Sequence, residues 1–304
     1  MTIAFVHNGI SFLPEVDAYI SYFRNYPEIK TMVLKAAEVR EAKAHVEWHF
    51  LGTHFKRSEG SVLIHEYASA SIAPFAGLKN TIKRRFNCVP DYRIFSNEYV
   101  RDQFSFNDEI GYGFRSHGVT RNALMTSHDA QKDYDFIYVG NIAKERRLDG
   151  LFDCFAEGRM KGRRLLVLSD HYGDLQKKFS PYPNIHFQGP VRFDEVYKYI
   201  VRAKYAFNYI PNREPFNKQV PSKFLDYAAC DIPVVTTDYE WIRKFEQRYG
   251  GKYFYLNEDL SNLDWDEISH FEFSTPDLTG WYWEKQIEGS GVIQFLQKEY
   301  PEIF

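Results

Sequence analysis

Short apolar runs alternate with amphipathic stretches along this chain, and most of the runs end in turn residues. Ile3-Ala4-Phe5-Val6 predicts a first buried strand, closed by His7-Asn8-Gly9, and residues 14–26 space their apolar positions as a helix does. Residues 31–34, 48–51, 62–64 and 93–95 predict further strands with short helices between them. After His117-Gly118-Val119 the pattern dissolves into the polar stretch 120–133, which reads as a linker. A second series then begins with a strand and glycine turn at 136–140 and a helix at 148–155. Strands follow at 165–168, 185–187 and 206–210, and Ser222 is expected to N-cap a helix over 223–230, ahead of a strand at 233–238. The final stretch, 281–300, predicts a helix interrupted at Gly289 and Gly291. Strands alternating with helices specify an α/β class with parallel sheets, in two doubly wound domains.

Composition narrows the picture. A chain of 304 residues, 44% hydrophobic and 26% charged, can bury two modest cores. Its net charge of −3 argues against a surface built throughout to neutralise nucleic-acid phosphate, so no nucleic-acid partner is expected. Cys88, Cys154 and Cys230 are far apart and lack CxxC spacing, which suggests neither a disulfide framework nor a zinc site and fits a reducing cytoplasm. His7, His45, His49 and His54 also lack zinc-like spacing and read as unrelated. The N-terminus lacks a signal-peptide pattern, and no stretch approaches the roughly 20 apolar residues of a membrane span. Aromatic residues make up 17% of the chain, enough to serve sugar or base stacking, although core packing accounts for most of them. The basic run Lys79-Asn80-Thr81-Ile82-Lys83-Arg84-Arg85-Phe86 interleaves apolar residues, as a membrane-surface patch or a solvated helix face does.

In open parallel sheets ligands bind beyond the C-terminal ends of the strands, where helix N-termini offer backbone N–H groups. Two such domains are expected to face a central cleft, gathering His7 to Gly9 and His65 to Ser69 from the first domain, and Gly140 to Arg147, Gly189 to Val191 and Asn212 to Asp226 from the second. Gly140-Asn141-Ile142-Ala143-Lys144-Glu145-Arg146-Arg147 sets three cations at a helix start, where the macrodipole favours anions. A bound diphosphate explains that placement, and so does a solvated basic turn. Lys223 and Asp226 stand three apart in one helical turn, suited to a phosphate and a ribose diol together or to an ordinary intrahelical ion pair.

The run Asp226-Tyr227-Ala228-Ala229-Cys230-Asp231-Ile232-Pro233-Val234-Val235 resembles the family-4-type pattern of the group 1 glycosyltransferases: an acidic residue, a small apolar helix, a turn and Pro-Val-Val. Other segments resemble family landmarks in the same order. These are Ile64-His65, Phe95-Ser96-Asn97-Glu98, His117-Gly118-Val119, Tyr138-Val139-Gly140 with Glu145-Arg146, Phe187-Gln188-Gly189-Pro190-Val191 and Trp281-Tyr282-Trp283-Glu284. The resemblance implies a GT-B fold, with an acceptor-side Rossmann-like domain over residues 1–127, a nucleotide-sugar domain over 128–280, and a C-terminal helix over 281–304 that returns to the first.

The resemblance also implies retaining transfer from a UDP- or GDP-linked sugar to a glycan or lipid-linked acceptor in surface-polysaccharide synthesis. Neither metal nor cofactor is implied, and the place of action is the cytoplasm, at the inner face of the plasma membrane. Carried onto this sequence, Arg146 and Lys223 stabilise the leaving diphosphate. Asp226 holds the ribose, and His65 contacts the sugar or acceptor near the anomeric centre. Asn8, Gly9, Gly140, Asn141, Lys144, Gly189, Val191 and Ser222 complete the donor pocket. One departure is plain: the family pairs two glutamates eight positions apart, yet Lys218 stands eight before Asp226, and Glu214 is the nearest carboxylate. Another is Asn141, where the family often has arginine. A sugar-nucleotide epimerase and a non-catalytic nucleotide-sugar-binding module remain alternatives, and turnover of donor alone separates the first from a transferase.

Overall fold

A computed structural model of the chain forms two compact units, residues 1–118 with 281–304, and residues 119–280. It describes residues 1–9, 13–50, 53–71, 74–121, 130–170 and 172–304, apart from the side chains of Phe193 and Asp194. The expected linker, 120–133, falls within the second unit, and its residues 122–129 lie outside those described.

In the first unit β1 (Thr2–Val6), β2 (Lys30–Leu34), β3 (Val46–Phe50), β4 (Val62–Tyr67), β5 (Tyr92–Phe95) and β6 (Tyr112–Phe114) pair in the order β2-β1-β3-β4-β5-β6. Every pairing is parallel. A parallel sheet must be covered on both faces, which explains the continuous apolar runs. One face, with Ile3, Phe5, Trp48, Ile64 and Ile94, packs against α1 (Pro14–Phe23) and the last two helices, α11 (Trp283–Gly289) and α12 (Val292–Glu299). The opposite face, with Ala4 and Val6, packs against Val39 in α2 (Val39–Ala42) and Ala44. The unit also holds α3 (Ala76–Phe86) and α4 (Glu98–Phe104).

Many of the aromatic residues fill this core, Tyr19 and Trp48 with ring centroids 4.3 Å apart. A buried ionic triad lies beside them: Arg115 donates to Glu66 through Nε at 2.7 Å and to Glu15 at 3.2 Å, while the Trp48 indole donates to Glu66 at 2.8 Å. Removing one member would strand a desolvated charge, so the three stand or fall together.

The second unit repeats the logic with β7 (Tyr134–Val139), β8 (Leu165–Leu168), β9 (Ile185–Gln188), β10 (Ala203–Asn208), β11 (Val234–Thr237) and β12 (Phe254–Leu256). Read from one edge, their order is β9-β8-β7-β10-β11-β12, again all parallel. This is the Rossmann order, with its reversal between β7 and β10. The helices are α5 (Asp149–Ala156), α6 (Gly173–Phe179), α7 (Phe193–Ile200), α8 (Ser222–Ala229), α9 (Glu240–Tyr249) and α10 (Trp265–His270). Phe136, Phe155 and Phe207 interlock at its centre, Phe136 stacked on Phe207 at 4.7 Å.

Three local expectations change. Ser222 does not cap its helix: Pro221 takes the N-cap position, and Ser222 is the exposed first helical residue. The interrupted C-terminal helix is two helices, parted at Gly291, whose φ of 74° favours glycine. Strands β6 and β12 were not expected; each has only three residues, and β6 is broken by Gly113.

The two C-terminal helices dock on the first unit through close backbone approach. The Tyr92 hydroxyl donates to the Ser290 carbonyl at 2.8 Å, and a Cβ at Gly113 would overlap that carbonyl. Gly113→Ala is therefore expected to lower stability by roughly 1–3 kcal/mol, against the slight gain that a Gly→Ala change brings where space allows. Denaturant unfolding checks this, and an unchanged midpoint would contradict the packing.

Candidate functional site

The reversal between β7 and β10 opens a crevice at the strands' C-terminal ends, and the chain lines it with cations. Strand β7 ends at Gly140, whose φ of 119° is accessible only to glycine without strain. Helix α8 is tied to the same strand end, since the Val139 N–H donates to the Tyr227 hydroxyl at 2.7 Å. That bond sets the first turn of α8 beside Gly140. Lys223, half-buried in this turn, holds its ammonium 3.9 Å from the Tyr138 ring centroid and 3.9 Å from where a Gly140 Cβ would stand. Burial, and then the charge of Arg146, press the Lys223 ammonium well below the ordinary lysine range.

Arg146 reaches this place from a single 3-10 turn, Lys144–Arg146, in the loop after β7. Its guanidinium lies 4.4 Å from the ring centroid of Phe216, in the loop after β10. Arg213 of that loop donates to the Glu145 carbonyl at 2.6 Å, so the two loops that border the crevice hold each other. The loop after β10 is fixed at its start by the Ile210 N–H donating to the Thr237 hydroxyl, and near its end by Lys218 paired with Glu240. Arg213 Nε and Gln219 Nε2 are buried there with no hydrogen-bond partner among the described residues. Two cations set against each other, with unspent buried donors beside them, make a site suited to an anion of high charge.

The other expected residues of this unit divide. Asn141 shapes the loop, its side-chain oxygen accepting from the Ala143 N–H at 2.6 Å, and Lys144 is exposed. Gly189 and Val191 lie in the turn after the edge strand β9, two strands from β7 and thus roughly 10 Å away. Glu214 is exposed on the loop that carries Arg213 and Phe216. Lys223 and Asp226 are not offered to one ligand: Asp226 is 5% exposed and accepts from the Tyr197 hydroxyl at 3.1 Å, while Lys223 turns to Tyr138. A shared helical turn fixes where two side chains start, and the packing around each decides where it ends. Sequence reading missed Arg213 and Phe216; the signal was an arginine and an aromatic flanking Glu214-Pro215 in a loop already under suspicion.

Residues 146–260 match the family model of glycosyl transferase-like proteins. No curated protein matches the sequence. Among solved structures, AviGT4, a glycosyltransferase involved in avilamycin A biosynthesis, is similar with a TM-score of 0.60 at 10% identity, over 100% of this chain and 98% of that one. An alpha-glucosyltransferase in complex with UDP and a 13-mer DNA reaches a TM-score of 0.60 at 9% identity, over 99% of each chain. A UDP-N-acetylglucosamine 2-epimerase gives 0.54 at 10% identity, over 99% of this chain and 97% of that one. The fold is that of the GT-B glycosyltransferases.

In the first unit of this GT-B chain, Asn8 and Gly9 follow β1, beside the order reversal between β1 and β3. The Gly9 N–H donates to His7 Nδ1 at 3.1 Å, so that backbone donor is engaged within its own turn. His65 is 0% exposed in the middle of β4, with Nε2 3.1 Å from Nδ1 of His54. A side chain so enclosed presents no atom to a sugar, which removes the contact expected for it. His49 and His54, read from sequence as unrelated, prove to be stacked with centroids 3.6 Å apart. The reason is period-two alternation on β3 followed by a returning loop: His49 and His65 are register partners on one face of the sheet, and His54 comes back over them. Burial and the neighbouring His49 push His54 down to about 4.

The Lys223 pocket makes a pH prediction. An anion such as diphosphate favours the protonated ammonium that burial and Arg146 disfavour in the free chain. Binding therefore takes up a proton between the depressed free-state value and the higher bound-state value, and affinity falls as pH rises through that window. Calorimetry of diphosphate binding in two buffers of different ionisation enthalpy, at a pH just under the ordinary lysine range, should give unequal heats. Equal heats would remove Lys223 from the contact.

Proposed function

We propose that this chain is a retaining glycosyltransferase that moves a sugar from a UDP- or GDP-linked donor to a glycan or lipid-linked acceptor of surface-polysaccharide synthesis. The observation that carries the reading is the half-buried Lys223 ammonium over Tyr138, set against Arg146 at the order reversal of a Rossmann sheet. Such a pair is poor in free energy when empty and good when a diphosphate lies between, and the gain grows as the leaving group takes on charge. Lys223 and Arg146 serve the diphosphate. The turn with Gly189 and Val191 is assigned to the nucleoside, and Glu214, exposed on the adjoining loop and nearest in sequence to Arg213 and Phe216, to the sugar. The retaining outcome rests on the family-4-like pattern of residues 226–235.

A thermal-shift screen against nucleoside diphosphates and their sugars tests the reading, because a ligand of the native state alone raises stability with its concentration. UDP or GDP and one of the matching sugars should raise Tm. Lys223→Ala should weaken that binding by about 1.5–3 kcal/mol, roughly 10- to 150-fold, with the unliganded fold intact. Absence of a shift with every nucleotide would sink the proposal. Conversion of donor sugar without an acceptor would move the assignment to the epimerase class, to which a structural neighbour at TM-score 0.54 belongs.

The lipid-linked acceptor is favoured by α3. Leu78, Ile82 and Phe86 are large apolar residues of α3 left exposed, and their spacing of four places them along one stripe, with Phe75, 74% exposed, at the N-cap and exposed Val89 just beyond the helix. Lys79, Lys83 and Arg85 border it, while Arg84 turns to the Phe104 and Ser105 carbonyls. An exposed apolar stripe edged by cations suits a helix lying in an anionic lipid surface. No described helix is long and apolar enough to cross a membrane. Co-sedimentation with phosphatidylcholine vesicles should be weak and should rise when anionic phosphatidylglycerol is added. Leu78→Asp with Phe86→Asp should abolish the rise, and a double variant that still sediments would place the contact elsewhere.

A further inference from the structure

We propose that Glu47, His49 and His54 hold one divalent transition-metal ion of the zinc class within the first unit. Their donor atoms all lie within 4.8 Å of one another, and Glu47 Oε2 is 3.4 Å from His49 Nε2. Donors around a tetrahedral zinc ion stand roughly 3.4 Å apart, given bonds of about 2.1 Å. The triad therefore needs only a small closure. Two imidazoles and one carboxylate form a recurrent zinc set, one that leaves a fourth position for water.

Burial makes the bland alternative costly. Glu47 is 1% exposed, His49 5% and His54 8%. A carboxylate in that setting requires partners on both oxygens; His49 and the Ser58 side chain attend it, yet Oε1 has no partner of hydrogen-bond geometry among the described residues. A bound cation would satisfy it. His65 supplies the second, independent sign. Its Nε2 sits 3.1 Å from His54 Nδ1, the place of an outer-shell group that fixes a ligand histidine's tautomer.

The backbone explains how the set is assembled. Glu47 and His49 share one face of β3 by alternation, and β4 lays His65 opposite His49. His54 is held over them because its N–H donates to Asn87 Oδ1 at 2.8 Å and its carbonyl accepts from the Cys88 N–H at 2.8 Å. Arg57, further along the same loop, pairs with Asp91. The ion would thus staple the loop after β3 to the sheet. This role is independent of the anion pocket of the second unit.

The test uses the full chain, stripped with chelator and dialysed, then titrated with Zn²⁺, with Mg²⁺ as the control. Zn²⁺ is expected to bind at one ion per chain and to raise Tm with the logarithm of its free concentration, while Mg²⁺ does neither. Co²⁺ should give the visible absorption of a tetrahedral nitrogen and oxygen site, a readout that needs no variant. Glu47→Gln, which keeps the shape, and His54→Ala should each lose the Co²⁺ spectrum and the Zn²⁺ shift, whereas His45→Ala should keep both. A wild-type chain that takes up no Zn²⁺, or a Glu47→Gln chain that binds it undiminished, would overturn the proposal.

Discussion

Parallel pairing is the constraint from which the rest follows. When every strand of a sheet runs the same way, all the turns that leave the C-terminal ends collect along one edge, with the helix N-termini that follow them. Gly140, the Lys144–Arg146 turn, Gly189 and the first turn of α8 are distant in sequence and belong to one edge of one sheet. Within that edge, the order reversal selects β7 and β10 as the strands whose following segments part, and Lys223 and Arg146 come from the segments after those two strands.

The two units treat buried charge differently, and the contrast separates structure from chemistry. In the first, Arg115 is enclosed by Glu15 and Glu66, and Glu66 is held further by Trp48, so the guanidinium has its counter-charge inside the fold. A satisfied network of that sort rigidifies a core and asks nothing of solvent or ligand. In the second, Lys223 faces Arg146 and an aromatic ring, with no ion-paired carboxylate among the described residues. Retaining a desolvated like-charge pair is a local loss that the fold tolerates; a function that needs positive potential at that point accounts for it.

How much of this was legible in the sequence depends on the physics behind each signal. Buried strands announce themselves by composition, so residues 165–168 and the strand before Gly140 were readable to within a residue or two. The three-residue strands β6 and β12 were not, because pairing with a neighbour rather than an apolar run defines them. Arg146 could be singled out because cations at an expected helix start contradict the dipole, and Lys223 because it stands three before Asp226 in one helical turn. The separate fates of Lys223 and Asp226 could not, since Tyr138 and Tyr197 claim those side chains from other elements. The histidines failed for a related reason: spacing rules for metal sites are written for local motifs, whereas Glu47, His49 and His54 meet through strand alternation and a returning loop. Glu47 and His49 inside the fully buried strand Val46–Phe50 were the clue, two polar residues on one face of a run that should have been apolar.

The two strand orders also differ in what they leave room for. In the first sheet only β2 lies beyond β1 on one side of the reversal, so the segment after β1 has a single strand end next to it. In the second, β8 and β9 both lie beyond β7, and their ends extend the edge by roughly 10 Å from the crevice. Nothing equivalent continues past β1. The difference between the halves is thus already present in topology, before any side chain is considered.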